Sequence, residues 1–426
     1  MVDPRPVDPG RFFANVLADQ HYQKGVQLEK QGQWERALES YRRACSLNTT
    51  SVLFLLARGH VCQQHGLAPE AEVCYRAALR LRPDDTVVLY NQAQLYAARG
   101  QLDQARANLA RIVAAGVDSL GDRAAPVFCW LGDIALRREE YPAAAIHFRR
   151  ALECDPGHRY AAAALDSIPR FAEFASPFQP DGRVPPKVAV YGYAGAVLLG
   201  LPSDDGIDVP AYPALGFDSL AELGQTLARF AGLAAFYGWP VDAVAALDPE
   251  SQPLAIALAA ALDARPALHV DAVPRGAAAV GVTAAGADPA ALADHVAALR
   301  QRCRRSLYYA VGLTHPLWRY VPPVQVVTAP VRLEFPWNRG EASAAEHAEA
   351  FGAELAALLA AAPPNWAVES QAAWYTAHAR LGFDLRTLEP RGSAAAEREP
   401  RRPARPAAGP ALEPDSPGLR LFGLRP

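Results

Sequence analysis

The first third of the chain repeats a pattern of small and large residues at intervals of 34 positions. Ala37, Ala71 and Ala105 mark one position of this pattern. The other recurring positions hold Gly25 and Gly59, Gly32, Gly66 and Gly100, Tyr41 and Tyr75, and Ala44 and Ala78. A fixed period of this length is typical of stacked supersecondary units that share a continuous core. The period predicts a repeat array, because a chance series of amphipathic helices does not keep it.

A fourth copy follows after an insertion of five residues. It carries Gly132, Tyr141, Ala144, Phe148, Ala151 and Pro156. The insertion falls at 115–122, in a stretch whose composition indicates a loop between copies.

Each copy has the residues that a pair of antiparallel helices requires. Small residues stand where the two helices cross closely, and large ones such as Tyr41 fill the space between successive pairs. Gly32 and its equivalents fall where the first helix ends, as a helix C-cap requires. Pro83 and Pro156 follow the second helix, where a helix should stop. The spacing therefore predicts one helical hairpin per copy.

This pattern resembles the tetratricopeptide repeat (TPR) over about residues 18–158. The resemblance implies an all-α superhelical array whose first helices line its inner face. Residues 158–168 predict a closing helix that covers the last hairpin. We expect an N-terminal arm over 1–17 and the array with its closing helix over 18–170.

The resemblance also implies a groove that binds a protein or peptide partner. Its predicted residues follow the helical spacing i, i+4, i+7 along the first helices, with one neighbour added: Tyr22, Val26, Glu29, Leu56, His60, Gln63, Tyr90, Asn91, Gln94 and Asp133. The alternative is that some of these residues pack against the downstream domain. TPR proteins that grip a C-terminal carboxylate use Lys, Arg and Asn on this face. The mostly apolar and neutral residues of this chain argue against that kind of clamp.

A proline-rich stretch at 176–186 marks a boundary, after which the pattern changes. Strands are predicted at 187–193, 241–247, 268–273, 277–283, 306–313 and 324–333, and helices at 219–238, 253–262, 289–303, 343–361 and 369–380. Strands that alternate with helices predict a mostly parallel sheet with helices on its faces. We expect a linker over 171–186 and an α/β domain over 187–388.

Two strand-to-helix corners of this domain are candidate anion or ligand loops. The first places Ser251 and Gln252 near a helix start, and the second contains Thr283 and Gly286. A helix N-terminus at the carboxyl end of a strand favours an anion. The alternative is that glycine and proline only turn the chain here.

The order of elements over roughly 187–335 resembles the type I phosphoribosyltransferase fold. In that family the first corner is the pyrophosphate loop, and the second follows a strand that ends in two acids. When Gly286 is aligned with the glycine of the family's Thr-Gly turn, Val280 and Gly281 occupy the positions of those acids, and Ala285 replaces the threonine. The family's acids bind the ribose hydroxyls and a metal ion. The resemblance therefore implies a degenerate domain with no catalytic residues, no metal and no cofactor.

Composition and net charge limit the classes of partner that we expect this protein to bind. The net charge of −3 gives no global basic field for nucleic acid. A membrane span requires roughly 20 consecutive apolar residues, and the sequence contains no such run, so no span is predicted. Six cysteines without a CxxC pair are expected to be reduced thiols in a cytoplasmic protein. The proline- and arginine-rich tail over 389–426 is expected to be disordered.

Two functional hypotheses follow from the sequence. The favoured one is a non-catalytic adaptor or scaffold that binds a polypeptide through the TPR groove. The alternative is a transferase or nucleotide-binding enzyme that uses the phosphoribosyltransferase-like site, so enzymatic activity stays an open question at this point.

Overall fold

The computed structural model describes residues 9–116, 121, 124–179, 183–210, 212, 215–285, 289–313, 326–329, 333–339, 347–362 and 367–389. These residues form two compact units. The first contains the described residues up to 135 together with 150–156, and the second contains 136–149 and the described residues from 157 to 389. The predicted tail lies outside the described residues from 390 onwards.

The repeat region is helical throughout its described elements. Its helices are α1 (Pro9–Lys30), α2 (Trp34–Leu47), α3 (Val52–Gln64), α4 (Ala68–Leu81), α5 (Thr86–Ala98), α6 (Leu102–Ala115), α7 (Ala124–Arg137) and α8 (Tyr141–Cys154). The starts of α2, α4 and α6 keep the 34-residue interval of the sequence. Helix α1 begins inside the stretch that the sequence suggested was an N-terminal arm.

The turns and caps of the hairpins repeat with the same period. Gly32, Gly66 and Gly100 have φ values of 73°, 77° and 73°, which glycine adopts without steric cost. The side chains of Ser51 and Asp85 cap α3 and α5 by accepting a hydrogen bond from a backbone N–H of the first turn. Local sequence therefore determines where these helices begin and end.

Glycine and tyrosine are paired in the first two hairpins. A Cβ atom on Gly25 would lie 2.5 Å from Cε1 of Tyr41, and one on Gly59 would lie 2.7 Å from Cε1 of Tyr75. In the third hairpin the equivalent residues are Ala93 and Leu109, both fully buried. The wide aromatic ring thus occurs with glycine, and the smaller leucine occurs with alanine.

We expect Gly59→Ala to lower the free energy of unfolding by about 1–3 kcal/mol, because its methyl group must displace the ring of Tyr75. Gly59→Ala combined with Tyr75→Leu recreates the third hairpin's pair and should cost less than the sum of the two single changes. Urea unfolding of the full chain measures this coupling. Strictly additive free energies would show that the glycine and the ring do not constrain each other.

The second unit combines helices with two parallel sheets. Its helices are α9 (Arg159–Phe171), α10 (Pro186–Ala194), α11 (Leu220–Tyr237), α12 (Gln252–Ala261), α13 (Pro289–Arg302), α14 (Ala348–Ala360) and α15 (Ala367–Ala377). Its strands are β1 (Val197–Leu198), β2 (Leu215–Gly216), β3 (Ala243–Ala246), β4 (Arg265–Ala267), β5 (Ala278–Thr283), β6 (Arg305–Gly312), β7 (Val326–Ala329) and β8 (Leu333–Glu334).

The main sheet has the strand order β1-β7-β6-β5-β3-β4, and every neighbouring pair is parallel. Strands β2 and β8 form a separate parallel pair. From β3 the chain proceeds outwards to β4, whereas from β5 it proceeds outwards through β6 and β7 in the opposite direction. The order therefore reverses between β3 and β5, and a crevice forms there at the carboxyl ends of the strands.

Apolar side chains cover both faces of the main sheet. On one face Val244, Val280 and Leu307 belong to a core that includes residues of α11, α12 and α14. On the other face Ala245 and Tyr308 belong to a core that includes residues of α10 and α13. Alternate strand residues supply the two cores, as burial of a parallel sheet on both sides requires.

Two of the predicted strands are wrong. Residues 187–193 belong to helix α10, which starts with Pro186 in its first turn and ends at Gly195 with φ 59°. Residues 268–273 contain a 3-10 turn at Val270–Ala272, and strand β4 lies just before them. Each segment contains two valines, which favour a strand, so composition did not reveal the caps and turns that decide the structure.

Candidate functional site

Most of the predicted groove residues lie on α1, α3 and α5 with their side chains partly accessible. Seven are half-buried and His60 is exposed; the half-buried ones are Tyr22, Val26, Glu29, Leu56, Gln63, Asn91 and Gln94. Tyr90 is only 8% exposed, and Asp133 is completely buried. The accessible set is therefore concentrated on the first helices of three successive hairpins.

Two of these residues are tied to the tyrosines within their own hairpins. The hydroxyl of Tyr41 donates to Glu29 Oε2 at 2.7 Å, and that of Tyr75 donates to Gln63 Oε1 at 2.8 Å. Burial and the bonded carboxylate raise the pKa of Tyr41 far above its usual value, so its phenol stays protonated. These bonds orient Glu29 and Gln63 along the helix face.

The structure brings α1 and α3 together across this face. His60 Nδ1 lies 3.9 Å from Glu29 Oε1, and its other ring nitrogen lies 3.4 Å from Gln64 Nε2. The rings of Tyr22 and Phe54 stack with their centroids 5.3 Å apart. Polar and aromatic contacts thus join the first helices of two successive hairpins.

An ion cluster that sequence reasoning missed joins the first two hairpins. Glu70 Oε2 lies 2.9 Å from Arg42 Nη2 and 3.4 Å from Arg58 Nη2. The hydrogen bond from Arg42 lowers the pKa of Glu70. These residues come from three different helices, and their charges gave no local pattern from which the contact could be predicted.

Three cysteines lie in the same hairpins. Cys45, Cys62 and Cys74 are buried free thiols. Burial raises the pKa of each to about 11, which keeps them protonated and unreactive at neutral pH. Within the described ranges no group of three His, Cys, Asp or Glu side chains is placed to hold a metal ion. The accessible side chains of this surface are amides, aromatic and aliphatic groups, the imidazole of His60 and the carboxylate of Glu29.

The second unit joins the two predicted corners through Asp248. Ser251 Oγ donates to Asp248 Oδ1 at 2.6 Å, and Thr283 Oγ1 donates to Asp248 Oδ2 at 2.5 Å. The backbone N–H of Ala284 donates to Ser251 Oγ at 2.7 Å. This cluster (Asp248, Ser251 and Thr283) lies where β3 and β5 end, at the reversal of the strand order. We call it the corner cluster.

The other two predicted corner residues are not part of it. Gln252 Nε2 approaches the carbonyl oxygen of Leu268 at 3.4 Å. Gly286 lies outside the described residues.

The positions aligned with the phosphoribosyltransferase acids are buried in β5. Val280 is completely buried in one core of the sheet. A Cβ atom on Gly281 would lie 2.8 Å from Cδ2 of Leu299 and 2.9 Å from Cδ2 of Leu247. Neither position has room or water for a carboxylate, because an unpaired charge in such a core is strongly destabilising.

A second polar feature that the sequence did not predict is a buried network after β1. Asp204 Oδ1 lies 3.2 Å from Arg229 Nη1, and both side chains are 5% exposed. The hydroxyl of Tyr212 donates to Asp204 Oδ2 at 2.5 Å. Arg229 Nη1 and Gln371 Nε2 both donate to the carbonyl oxygen of Leu199, at 2.9 and 3.0 Å. The network fixes the loop after β1 to α11 and α15.

Lys187 extends this network from α10. Its ammonium group donates to the carbonyl oxygens of Leu198 and Gly206 at 3.2 and 2.5 Å. It also lies 4.9 Å from the ring centroid of Trp374 and 4.5 Å from that of Tyr375. Carbonyls and aromatic faces are the usual surroundings of a buried cation, so this lysine has a structural role.

None of the helices that the structure describes is both long and apolar enough to cross a bilayer.

Models of the tetratricopeptide repeat family match residues 18–51 and 90–159. The first match covers α1 and α2, and the second runs from α5 to the end of α8. Between them lie α3 and α4, which repeat the same lengths and turns. The N-terminal region therefore contains tetratricopeptide repeats, and the C-terminal region holds a parallel sheet. No curated protein matches the chain at a significant level.

Several solved structures are partly similar to this chain. Pseudomonas aeruginosa pilF is 23% identical over 37% of this chain and 69% of its own, with a TM-score of 0.33. YrrB, described as a TPR protein with an unusual peptide-binding site, is 21% identical over 36% of this chain and 76% of its own, with a TM-score of 0.32. A TPR protein of Thermus thermophilus is 20% identical over 35% of this chain and 80% of its own, with a TM-score of 0.28.

Proposed function

We propose that the chain is a non-catalytic adaptor or scaffold that binds a polypeptide on the first-helix face of its repeats. The observation that carries this proposal is that the first helices α1, α3 and α5 each bear partly accessible and mostly neutral side chains. Half-buried amides such as Asn91 and Gln94 can bond the backbone of an extended peptide, and Tyr22 and Leu56 offer apolar contact. We place the scaffold in the cytoplasm and assign the array to 18–170.

We further propose that the region over 187–388, after a linker at 171–186, is a degenerate phosphoribosyltransferase-like domain. Its alternation of strands and helices supports this assignment. Val280 and Gly281 cannot be replaced by acids without disrupting the core of β5. Without paired carboxylates at these two positions, strand β5 does not offer the ligands that would hold the divalent cation of a sugar diphosphate. The alternative, a transferase or nucleotide-binding enzyme, needs that cation site.

A photo-reactive amino acid at Gln94 of the full chain tests the scaffold proposal. Gln94 is half-buried on α5, whereas Arg106, on the second helix of the same hairpin, serves as the matched control position. We expect a polypeptide to be cross-linked at position 94 and not at position 106. Equal capture at both positions, or at neither, would contradict the proposal.

The cross-linked polypeptide, once purified, allows a quantitative measurement. Asn91→Ala with Gln94→Ala removes two hydrogen-bonding side chains, and each is worth about 1 kcal/mol. We expect the dissociation constant measured by calorimetry to rise about tenfold or more. Titration of the chain with phosphoribosyl diphosphate and magnesium should give no heat, and saturable binding there would favour the enzyme.

A further inference from the structure

The corner cluster presents hydrogen-bond acceptors rather than donors. Both hydroxyl protons, from Ser251 and Thr283, are donated inwards to Asp248. Ser251 Oγ in turn accepts the backbone N–H of Ala284. A carboxylate has about four acceptor sites, and only two of those on Asp248 are used by these hydroxyls. Within the described part of the chain, the acceptors of the cluster that remain unused are therefore carboxylate lone pairs of Asp248 and lone pairs of Thr283 Oγ1.

Tyr308 adds an unsatisfied hydroxyl on the neighbouring strand. It is 2% exposed, and its phenolic oxygen has no hydrogen-bond partner among the residues that the structure describes. In the β5–β6 ladder it pairs with Gly281, so Thr283 lies two residues further along the same face of the sheet. Burial, and to a smaller extent the negative charge of Asp248, raises the pKa of this phenol, so the hydroxyl stays protonated.

A buried hydroxyl without a partner costs about 1–3 kcal/mol, and a bound group that hydrogen-bonds to it would remove that cost. The same region carries the charges of Asp248 and Glu250, and neither forms an ion pair among the described residues. A phosphate would meet repulsion here and few free donors. A cationic group that donates hydrogen bonds would meet attraction.

We propose that the corner cluster and Tyr308 form a binding site for a primary ammonium group. Such a group carries three N–H donors. The three acceptors available to them are Asp248, Thr283 Oγ1 and the oxygen of Tyr308. The ammonium could belong to a small amine or to a lysine side chain of a peptide, and the site recognises the chemistry that these two share.

Calorimetry on the full chain tests the site with two probes of equal charge. Ethanolamine carries a primary ammonium, whereas choline has the same skeleton but no N–H donor. We expect saturable binding of ethanolamine, at least tenfold weaker binding of choline, and none of inorganic phosphate. Nα-acetyl-lysine amide serves as the peptide probe, and tighter binding of it than of ethanolamine would identify a lysine side chain as the ligand.

Three variants separate recognition from folding. Tyr308→Phe removes a hydroxyl that bonds nothing in the unliganded protein, so it should fold normally and bind ethanolamine about tenfold more weakly. Asp248→Asn should abolish binding. Glu250→Gln removes the same charge from the same loop without touching the cluster, and should bind within about threefold of the unchanged protein. Equal binding of choline and ethanolamine, preference for phosphate, or unchanged affinity of Tyr308→Phe would each overturn the proposal.

Discussion

Asp204→Asn is expected to lower the free energy of unfolding of the α/β unit by about 3–5 kcal/mol. Its carboxylate is the buried partner of Arg229 and also accepts the hydroxyl of Tyr212. Removing one charge of a buried pair leaves the other without its counter-charge, and the side chain of Arg229 is only 5% exposed to water. Urea unfolding followed by the tryptophan fluorescence of the full chain measures the effect.

The neighbouring residue provides a matched control. Asp205 Oδ1 accepts the backbone N–H groups of Ile207 and Asp208, which lower its pKa. An asparagine keeps that acceptor oxygen, so Asp205→Asn should cost less than about 1 kcal/mol. Equal costs for the two variants would show that local loop bonds, and not the buried pair, stabilise this region.

Lys187→Met is expected to destabilise the same unit by about 1–3 kcal/mol. Methionine fills the volume of the lysine stem but leaves the carbonyl oxygen of Gly206 buried without the donor it has in the unchanged protein. The carbonyl oxygen of Leu198 keeps the hydroxyl of Tyr375 as a donor at 3.3 Å, so the cost comes mainly from Gly206. The urea midpoint at pH 7 measures the loss, and a midpoint equal to that of the unchanged protein would contradict the structural role of Lys187.

The same lysine makes stability depend on pH. Burial lowers the pKa of Lys187 from 10.5 to about 7, although Asp204 and Asp205 oppose the shift and Arg229 adds to it. Between these two values the unfolded chain binds a proton that the folded chain has released, so stability contributed by this group rises with pH. The rise is at most about 1.4 kcal/mol per pH unit.

We therefore expect the unchanged protein to gain stability relative to Lys187→Met as the pH increases from 7 to 9. The difference between the two unfolding free energies isolates the lysine, because the other titrating groups are common to both proteins. The rings of Trp374 and Tyr375 face the ammonium and carry no charge in this range. A difference that shrinks with rising pH would contradict the pKa direction.

The repeat hairpins could be predicted from the sequence because their determinants are local. The positive-φ glycines and the paired small and aromatic residues recur at one interval, and each acts within about one hairpin. The 34-residue period therefore predicts both where the helices begin and end and where the two helices of a hairpin cross. The ion cluster around Glu70 was missed because it joins three helices with no repeated motif.

The α/β unit was predicted less completely because its decisive contacts are distant in sequence. Ser251 and Thr283 were both suggested as ligand-loop residues, yet their shared bond to Asp248 depends on β3 lying beside β5. Tyr308 gave no signal, since an aromatic residue in a strand normally indicates only core packing. Lys187 fell in a segment predicted as a strand, and a lysine next to prolines gives no sign of burial.

The pairing of β1 with β7 determines when the main sheet can be completed as the chain is synthesised. Val197 pairs with Val326, so the edge of the main sheet stays open until translation has passed the last strand. By contrast, each helical hairpin of the N-terminal region packs against residues that are near it in the sequence and have already been synthesised. We therefore expect the helical repeats to fold while the chain is still being synthesised, and the main sheet to close only after β7 has been made.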